Sequence, residues 1–125
     1  MKRVFLIEDD VIMAECIVRA MRRAVAEDIE YQIFTDGVAA IQALDTSLPD
    51  LICLDILLNG PDGFTFLNEL TSYSDTNEVP IIIISSLDLQ GQDLSTYNVR
   101  AIFQKDTMTP TEVGQRIEEV LADGK

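Results

Sequence analysis

Residues 79–86 read Val-Pro-Ile-Ile-Ile-Ile-Ser-Ser. Four consecutive isoleucines leave no polar side to turn toward water. A strand of this kind has to be covered on both faces, which is the condition of a parallel sheet sandwiched by helices. Parallel neighbours in turn need crossover connections of a dozen or more residues, usually helical. This one stretch therefore predicts a chain that alternates strand and helix.

The remainder alternates in that way. Residues 3–8, Arg-Val-Phe-Leu-Ile-Glu, predict a buried strand. Asp10 is placed to cap a following helix with Met13, Ile17, Ala20, Met21 and Ala24 at helical spacing. Val11, Ala14 and Val18 form a second apolar stripe on that helix, either widening its buried face or offering a docking surface. Residues 29–34 alternate like a strand with one polar side. Asp36 then caps a second helix carrying Val38, Ile41 and Leu44. After a turn at Pro49, residues 51–55, Leu-Ile-Cys-Leu-Asp, are an apolar strand ending in an acid. A loop with Asn59, Gly60, Pro61, Asp62 and Gly63 leads to a third helix burying Phe66, Leu67 and Leu70.

Residues 88–98 are expected to form the fourth helix. It is the weakest of the set, because it contains Gly91 and few periodic apolar positions. Residues 99–104 make the fifth strand. The last helix is well specified: Thr109 as N-cap, Pro110 at the first position and Glu112 at the third form a capping box. Val113, Ile117, Val120 and Leu121 give it a buried stripe. Strands alternating with covering helices imply right-handed crossovers and an open parallel sheet.

The chain has 125 residues, the size of one ordinary domain, and residues 1–125 are read as one. No apolar run approaches the ~18 residues needed to span a bilayer. Met1-Lys2-Arg3 leads into a short apolar run and three acids, unlike a signal peptide, so a cytoplasmic location is expected. The net charge of −13 argues against a nucleic-acid surface. The basic cluster Arg19, Arg22 and Arg23 is read as a solvated helix face. Cys16 and Cys53 lie in apolar stretches and are read as core thiols. The chain has no histidine. That removes histidine-based acid–base chemistry, and any phosphohistidine would have to come from another molecule.

The informative residues sit where strands end. Glu8, Asp9 and Asp10 close the first strand, Asp55 the third, Ser85 and Ser86 the fourth, and Lys105 the fifth. In open α/β sheets, ligands bind at the carboxyl edge, where strand order reverses. Two like charges at about 4 Å repel by about 4 kcal/mol at an effective dielectric near 20. Converging carboxylates therefore raise one another's pKa values unless cations join them. Lys105 offsets one charge and a hard divalent ion would offset two more. That composition suits a phosphoryl-accepting carboxylate, with a hydroxyl to bind a phosphoryl oxygen.

These residues resemble the receiver domains of two-component response regulators. The likeness lies in Phe-Leu-Ile-Glu-Asp-Asp at 5–10, Asp-Leu-Ile-Cys-Leu-Asp at 50–55 with Asp62-Gly63 beyond, the isoleucine strand at 79–86, and Phe-Gln-Lys at 103–105. It runs from residue 3 to about 122. The resemblance implies a doubly wound (βα)5 fold with flavodoxin-like strand order 2-1-3-4-5. It implies Asp55 as phosphoacceptor, taking its phosphoryl group from a sensor histidine kinase or histidine phosphotransfer protein. Asp9 and Asp55 would bind Mg²⁺ (or Mn²⁺) directly, Glu8 mostly through a metal-bound water, and Leu57 through its backbone carbonyl. Ser85 and Lys105 would engage phosphoryl oxygens, with the Ser86 N–H assisting. Asp10 is one place past the usual acidic pair and is read as a helix cap with an outer-shell role at most.

The chain departs from the family pattern at several places. Asn59 and Asp106 replace usual prolines. The connection from Ser85 to Lys105 is slightly short and lacks the usual Gly-Ala before the last strand. Ile102 stands where an aromatic switch residue is usual, with Phe103 beside it. Ser85, Ile102 and Phe103 are thus the switch candidates, and the usual mode of switching is in question. Two further readings compete. One is a constitutive interaction module with this fold that does not switch on phosphorylation. The other is a flavodoxin-type cofactor binder, which the acid-lined edge disfavours because it repels a flavin phosphate.

Overall fold

The computed structural model describes residues 1–58 and 62–123. Five strands form one parallel sheet: β1 (Lys2–Ile7), β2 (Ile29–Phe34), β3 (Leu51–Leu54), β4 (Ile81–Ser85) and β5 (Val99–Gln104). Their order is β2-β1-β3-β4-β5, the doubly wound arrangement expected from the resemblance. Four helices cover it: α1 (Val11–Ala24), α2 (Gly37–Leu44), α3 (Gly63–Thr71) and α4 (Pro110–Asp123).

The apolar runs divide their side chains between two cores. Val4, Leu6, Leu51, Cys53, Ile82 and Ile84 pack with α1 and α4. Phe5, Ile7, Ile52, Leu54, Ile81 and Ile83 pack with α2 and α3. Successive side chains on a strand point to opposite faces, so a strand covered on both sides has no polar position to spare. Full burial of such a side chain contributes about 1.5–3 kcal/mol. On the first face the helices approach closely: a Cβ on Gly114 of α4 would lie 2.5 Å from the Ala20 carbonyl oxygen of α1.

The caps follow the sequence reading. Asp10 accepts hydrogen bonds from the N–H groups of Ile12 and Met13. Asp36 accepts from Ala39, and Asp62, which had not been expected as a cap, starts α3 by accepting from Thr65. The Thr109 hydroxyl accepts from the Glu112 N–H at 3.2 Å.

The structure corrects several expectations. No helix forms over 88–98. Gly91, at φ +86°, and two aspartate turns, Asp88 to Gln90 and Asp93 to Ser95, set an irregular path instead. The short helix-forming stretch loses to local side-chain bonds that compete with the helical ladder. On α1, Val18 and Ala14 belong to the core while Val11 is exposed, so the second stripe mainly widens the buried face. Met13, Cys16 and Ala24 are only half-buried. Cys53 is buried, and burial pushes its thiol up to about 12. On α2, Val38 is 50% exposed rather than part of the core. Arg19, Arg22 and Arg23 are exposed, as expected. Asn59, Gly60 and Pro61 lie outside the described residues. Among the described residues no helix is long and apolar enough to cross a membrane.

Candidate acidic site at the carboxyl edge of the sheet

The central strands bring the separated acids together. β1 lies between β2 and β3, and the backbone continues pairing just past its end: Glu8 N–H donates to Phe34 O at 2.9 Å and Asp55 N–H to Ile7 O at 3.0 Å. Glu8 and Asp55 are thereby held side by side, 1% and 4% exposed. Carboxylate oxygens of Glu8, Asp9 and Asp55 all lie within 4.8 Å of one another. Asp10 is not in this group. Its side chain is spent on the α1 cap, in line with its sequence reading.

Lys105 enters from the end of β5. Its backbone N–H donates to Ser85 O at 2.9 Å, fixing the β4 and β5 ends together. Its ammonium lies 3.0 Å from Asp55 Oδ2 and 2.7 Å from Glu8 Oε1. The second contact is an ion pair rather than a well-directed hydrogen bond, because Glu8 Oε1 is buried without a hydrogen-bond partner. The other oxygen, Oε2, accepts from the Asp10 N–H at 3.2 Å.

The electrostatics follow from burial. Desolvation pushes the Glu8 carboxyl up to about 7, and the charge of Asp55 adds to this. The Lys105 ammonium and the Asp10 N–H oppose it. For Lys105, burial disfavours the charged form, yet the close contacts with Glu8 and Asp55 and their negative charge outweigh burial and raise its pKa. One ammonium against three carboxylates leaves the cluster short of positive charge. A closely spaced oxygen set with an unsatisfied buried oxygen fits a hard divalent cation.

The other expected residues take distinct places. Ser85 is 1% exposed, and its hydroxyl oxygen accepts from the Leu87 N–H at 3.3 Å. Ser86 is exposed. Leu57 is 48% exposed, and its N–H donates to Asp55 Oδ1 at 3.0 Å. Phe103 is half-buried against the α1 and α4 core. Ile102 points to the opposite face and is 48% exposed, because no helix over 88–98 covers it.

Gly63, which the sequence placed in the loop and, with Asp62, in the family resemblance, but to which it assigned no role, is a positioning residue. Its N–H donates to Ile56 O at 2.8 Å. A Cβ there would lie 2.6 Å from Ile56 Cα and 2.9 Å from the Asp55 carbonyl oxygen. Glycine thus lets the start of α3 close against the backbone that carries Asp55. Its pairing with Asp62, the α3 cap, was the available signal.

Comparisons with known proteins give the family and the fold. The family model for the response regulator receiver domain matches residues 4–117. Response regulator PleD of Caulobacter vibrioides is 34% identical over 87 residues, which is 69% of this chain and 18% of PleD. The chain thus corresponds to less than a fifth of that relative's length. The Mn²⁺-bound form of response regulator Rcp1 superposes with a TM-score of 0.81 at 23% identity, covering 95% of this chain and 93% of that one. The receiver domain of sensor histidine kinase PA1611 from Pseudomonas aeruginosa PAO1, with a magnesium ion coordinated in its active-site cleft, gives a TM-score of 0.80 at 20% identity, covering 97% and 98%. At those identities the two structures speak to fold alone, and it is the family match over residues 4–117 that makes this chain a response-regulator receiver domain of two-component signalling.

Proposed function

We propose that residues 1–125 act as a single receiver domain that accepts a phosphoryl group on Asp55 and thereby changes its contacts with a downstream partner. The donor is a phosphohistidine of a sensor kinase or a histidine phosphotransfer protein, since this chain has no histidine of its own. The observation that carries the reading is the set of Glu8, Asp9 and Asp55 oxygens within 4.8 Å, faced by the Lys105 ammonium.

Asp55 supplies the attacking carboxylate oxygen. A new O–P bond forms as the P–N bond to the donor imidazole breaks, and the electron pair leaves with that imidazole. Lys105, already 3.0 Å from Asp55 Oδ2, pairs with a phosphoryl oxygen. Among the described residues the Ser85 hydroxyl accepts a bond from the Leu87 N–H and donates none, which leaves its proton for a phosphoryl oxygen. Glu8, Asp9, Asp55 and the Leu57 carbonyl would hold Mg²⁺, with Mn²⁺ as a substitute. When bound, the cation neutralises charge on the phosphoryl group.

Incubation with a small-molecule phosphodonor and Mg²⁺, followed by intact mass measurement, tests this. One added phosphoryl group is expected, and none in Asp55→Asn. No mass gain in the parent overturns the reading and leaves a constitutive interaction module. Asp9→Asn is expected to lose most Mg²⁺ binding. An unchanged magnesium titration in that variant overturns the metal assignment.

A further inference from the structure

All nine lysines and arginines lie within residues 2–23 and 100–125. Residues 24–99 carry thirteen aspartates and glutamates and no cation. The fold converts this distribution into a polarity of the molecule. On one face of the sheet α1 carries Arg19, Arg22 and Arg23 and α4 carries Arg116, while α2 and α3, which cover the other face, contain no lysine or arginine of their own.

The two helix pairs also differ in packing. α1 and α4 close on each other through Gly114 and Ala20. α2 and α3 leave between them a groove of about 370 Å³, lined by Gly37, Val38, Ile41, Asp62, Phe66 and Glu69 among others. Its floor is apolar: Phe66 is buried, Ile41 half-buried, and Val38 50% exposed above it. Its α3 wall carries two carboxylates seven residues apart. Asp62 is held in place by its bonds to the Thr65 N–H and hydroxyl, at 3.0 and 3.2 Å. None of the ion pairs among the described residues engages Asp62 or Glu69.

We propose that this groove docks a cationic amphipathic helix of a partner protein. Seven residues of α3 span about 10.5 Å, the distance between positions i and i+7 on an opposing helix. Such a helix lays apolar side chains at i, i+4 and i+7 against Val38, Ile41 and Phe66, the helix-in-groove mode of recognition. Its flanking lysines or arginines meet Asp62 and Glu69. Glu69 is the stronger attractor, because the α3 N-terminus already offsets part of the charge on Asp62. The negative field of this half of the molecule steers cationic partners toward it and repels nucleic acids and anionic membranes. The site is separate from the Asp55 cluster and stands whether or not Asp55 is phosphorylated.

The test is a titration of the full chain, followed by amide NMR shifts, with two synthetic helical peptides. Both carry leucines at i, i+4 and i+7; one has flanking lysines and the other glutamates. The lysine peptide is expected to shift residues 37–42 and 62–69 and to weaken as salt is raised. Glu69→Lys and Val38→Ser, both at exposed positions, should each weaken it at least tenfold while spectra elsewhere stay unchanged. Equal binding of the glutamate peptide, shifts centred on another surface, or no shifts at millimolar peptide would each overturn the proposal. So would self-association of the chain alone that Glu69→Lys abolishes, since a second copy would then be the occupant.

Discussion

The Lys105 ammonium lies 2.7 Å from Oε1 of Glu8, a side chain only 1% exposed. These residues stand at the ends of the last and first strands, ninety-seven positions apart in the chain. Each needs the other: a buried carboxylate without a counter-charge is costly, and so is a half-buried ammonium.

Lys105→Met removes the cation and leaves two buried carboxylates facing each other. Breaking a buried pair typically costs about 3–5 kcal/mol. Here the loss should fall near the low end, about 3 kcal/mol at neutral pH, because the lysine retains some contact with water. Phosphorylation of Asp55 by a small donor should slow by roughly 10²-fold, since a positioned charge on the transferred group is lost. Urea unfolding in chelator and a loading time course measure the two effects. A variant as stable as the parent would refute the role given to the pair.

The pH dependence has a definite sign. Burial raises the folded Glu8 carboxyl from its ordinary value of 4.5 to about 7. The folded protein therefore holds a proton that the unfolded chain has released. This contribution to stability is full below pH 4.5 and is lost as pH rises through about 7. Metal-free protein should be less stable at about pH 8 than at about pH 5.5, and Glu8→Gln should flatten the difference. The same proton competes with Mg²⁺, so metal affinity should rise over this range. Unfolding curves in chelator at both pH values decide it; a parent that is more stable at the higher pH contradicts it.

Residues 87–98 should be the segment that responds to phosphorylation. Their start is linked to Ser85 by the Leu87 N–H bond at 3.3 Å. Their end is held to α3 by Tyr97, whose hydroxyl donates to Asn68 Oδ1 at 2.6 Å. Between these points Leu89 is the buried anchor and no regular ladder protects the backbone. Hydrogen exchange over this segment should change when beryllofluoride mimics the phosphoryl group. Tyr97→Phe should speed exchange near residue 97 about threefold to tenfold, the worth of one ordinary hydrogen bond. Identical protection with and without the mimic would count against this.

The phosphoryl group should be slow to leave. Leu57 is 48% exposed and Leu87 half-buried, each two residues beyond a site residue, Asp55 and Ser85 respectively. Neither has a polar atom to orient an attacking water, and there is no histidine to activate one. A misplaced nucleophile costs on the order of 10²-fold in rate. Leu57→Asn together with Leu87→Glu should therefore speed phosphate loss without impairing loading. Decay of the isolated phosphorylated protein is the measurement. Loss within seconds in the parent, or no acceleration in the double variant, would show that the leucines do not shield the site.

The sequence by itself determined the local elements and the edge on which the polar residues fall. The four isoleucines demanded a doubly covered parallel strand. Asp10, Asp36 and Thr109 marked helix starts through bonds to backbone N–H groups only two or three residues away. Such signals are legible because their physics is confined to one or two turns of chain. The acids and the lysine at strand ends were legible for a related reason: in a parallel sheet every strand ends on the same side. Tertiary structure alone decided what required distant partners. It placed Val18 in the core and left Val38 over an open groove, although both occupy apolar helical positions. It paired Lys105 with Glu8 as well as Asp55, and it set Gly63 against the Asp55 carbonyl. It also replaced the expected helix at 88–98 with a path held by Leu89 and Tyr97. Periodicity states which side of an element prefers burial, but the neighbour that supplies the cover is chosen by packing across the whole fold.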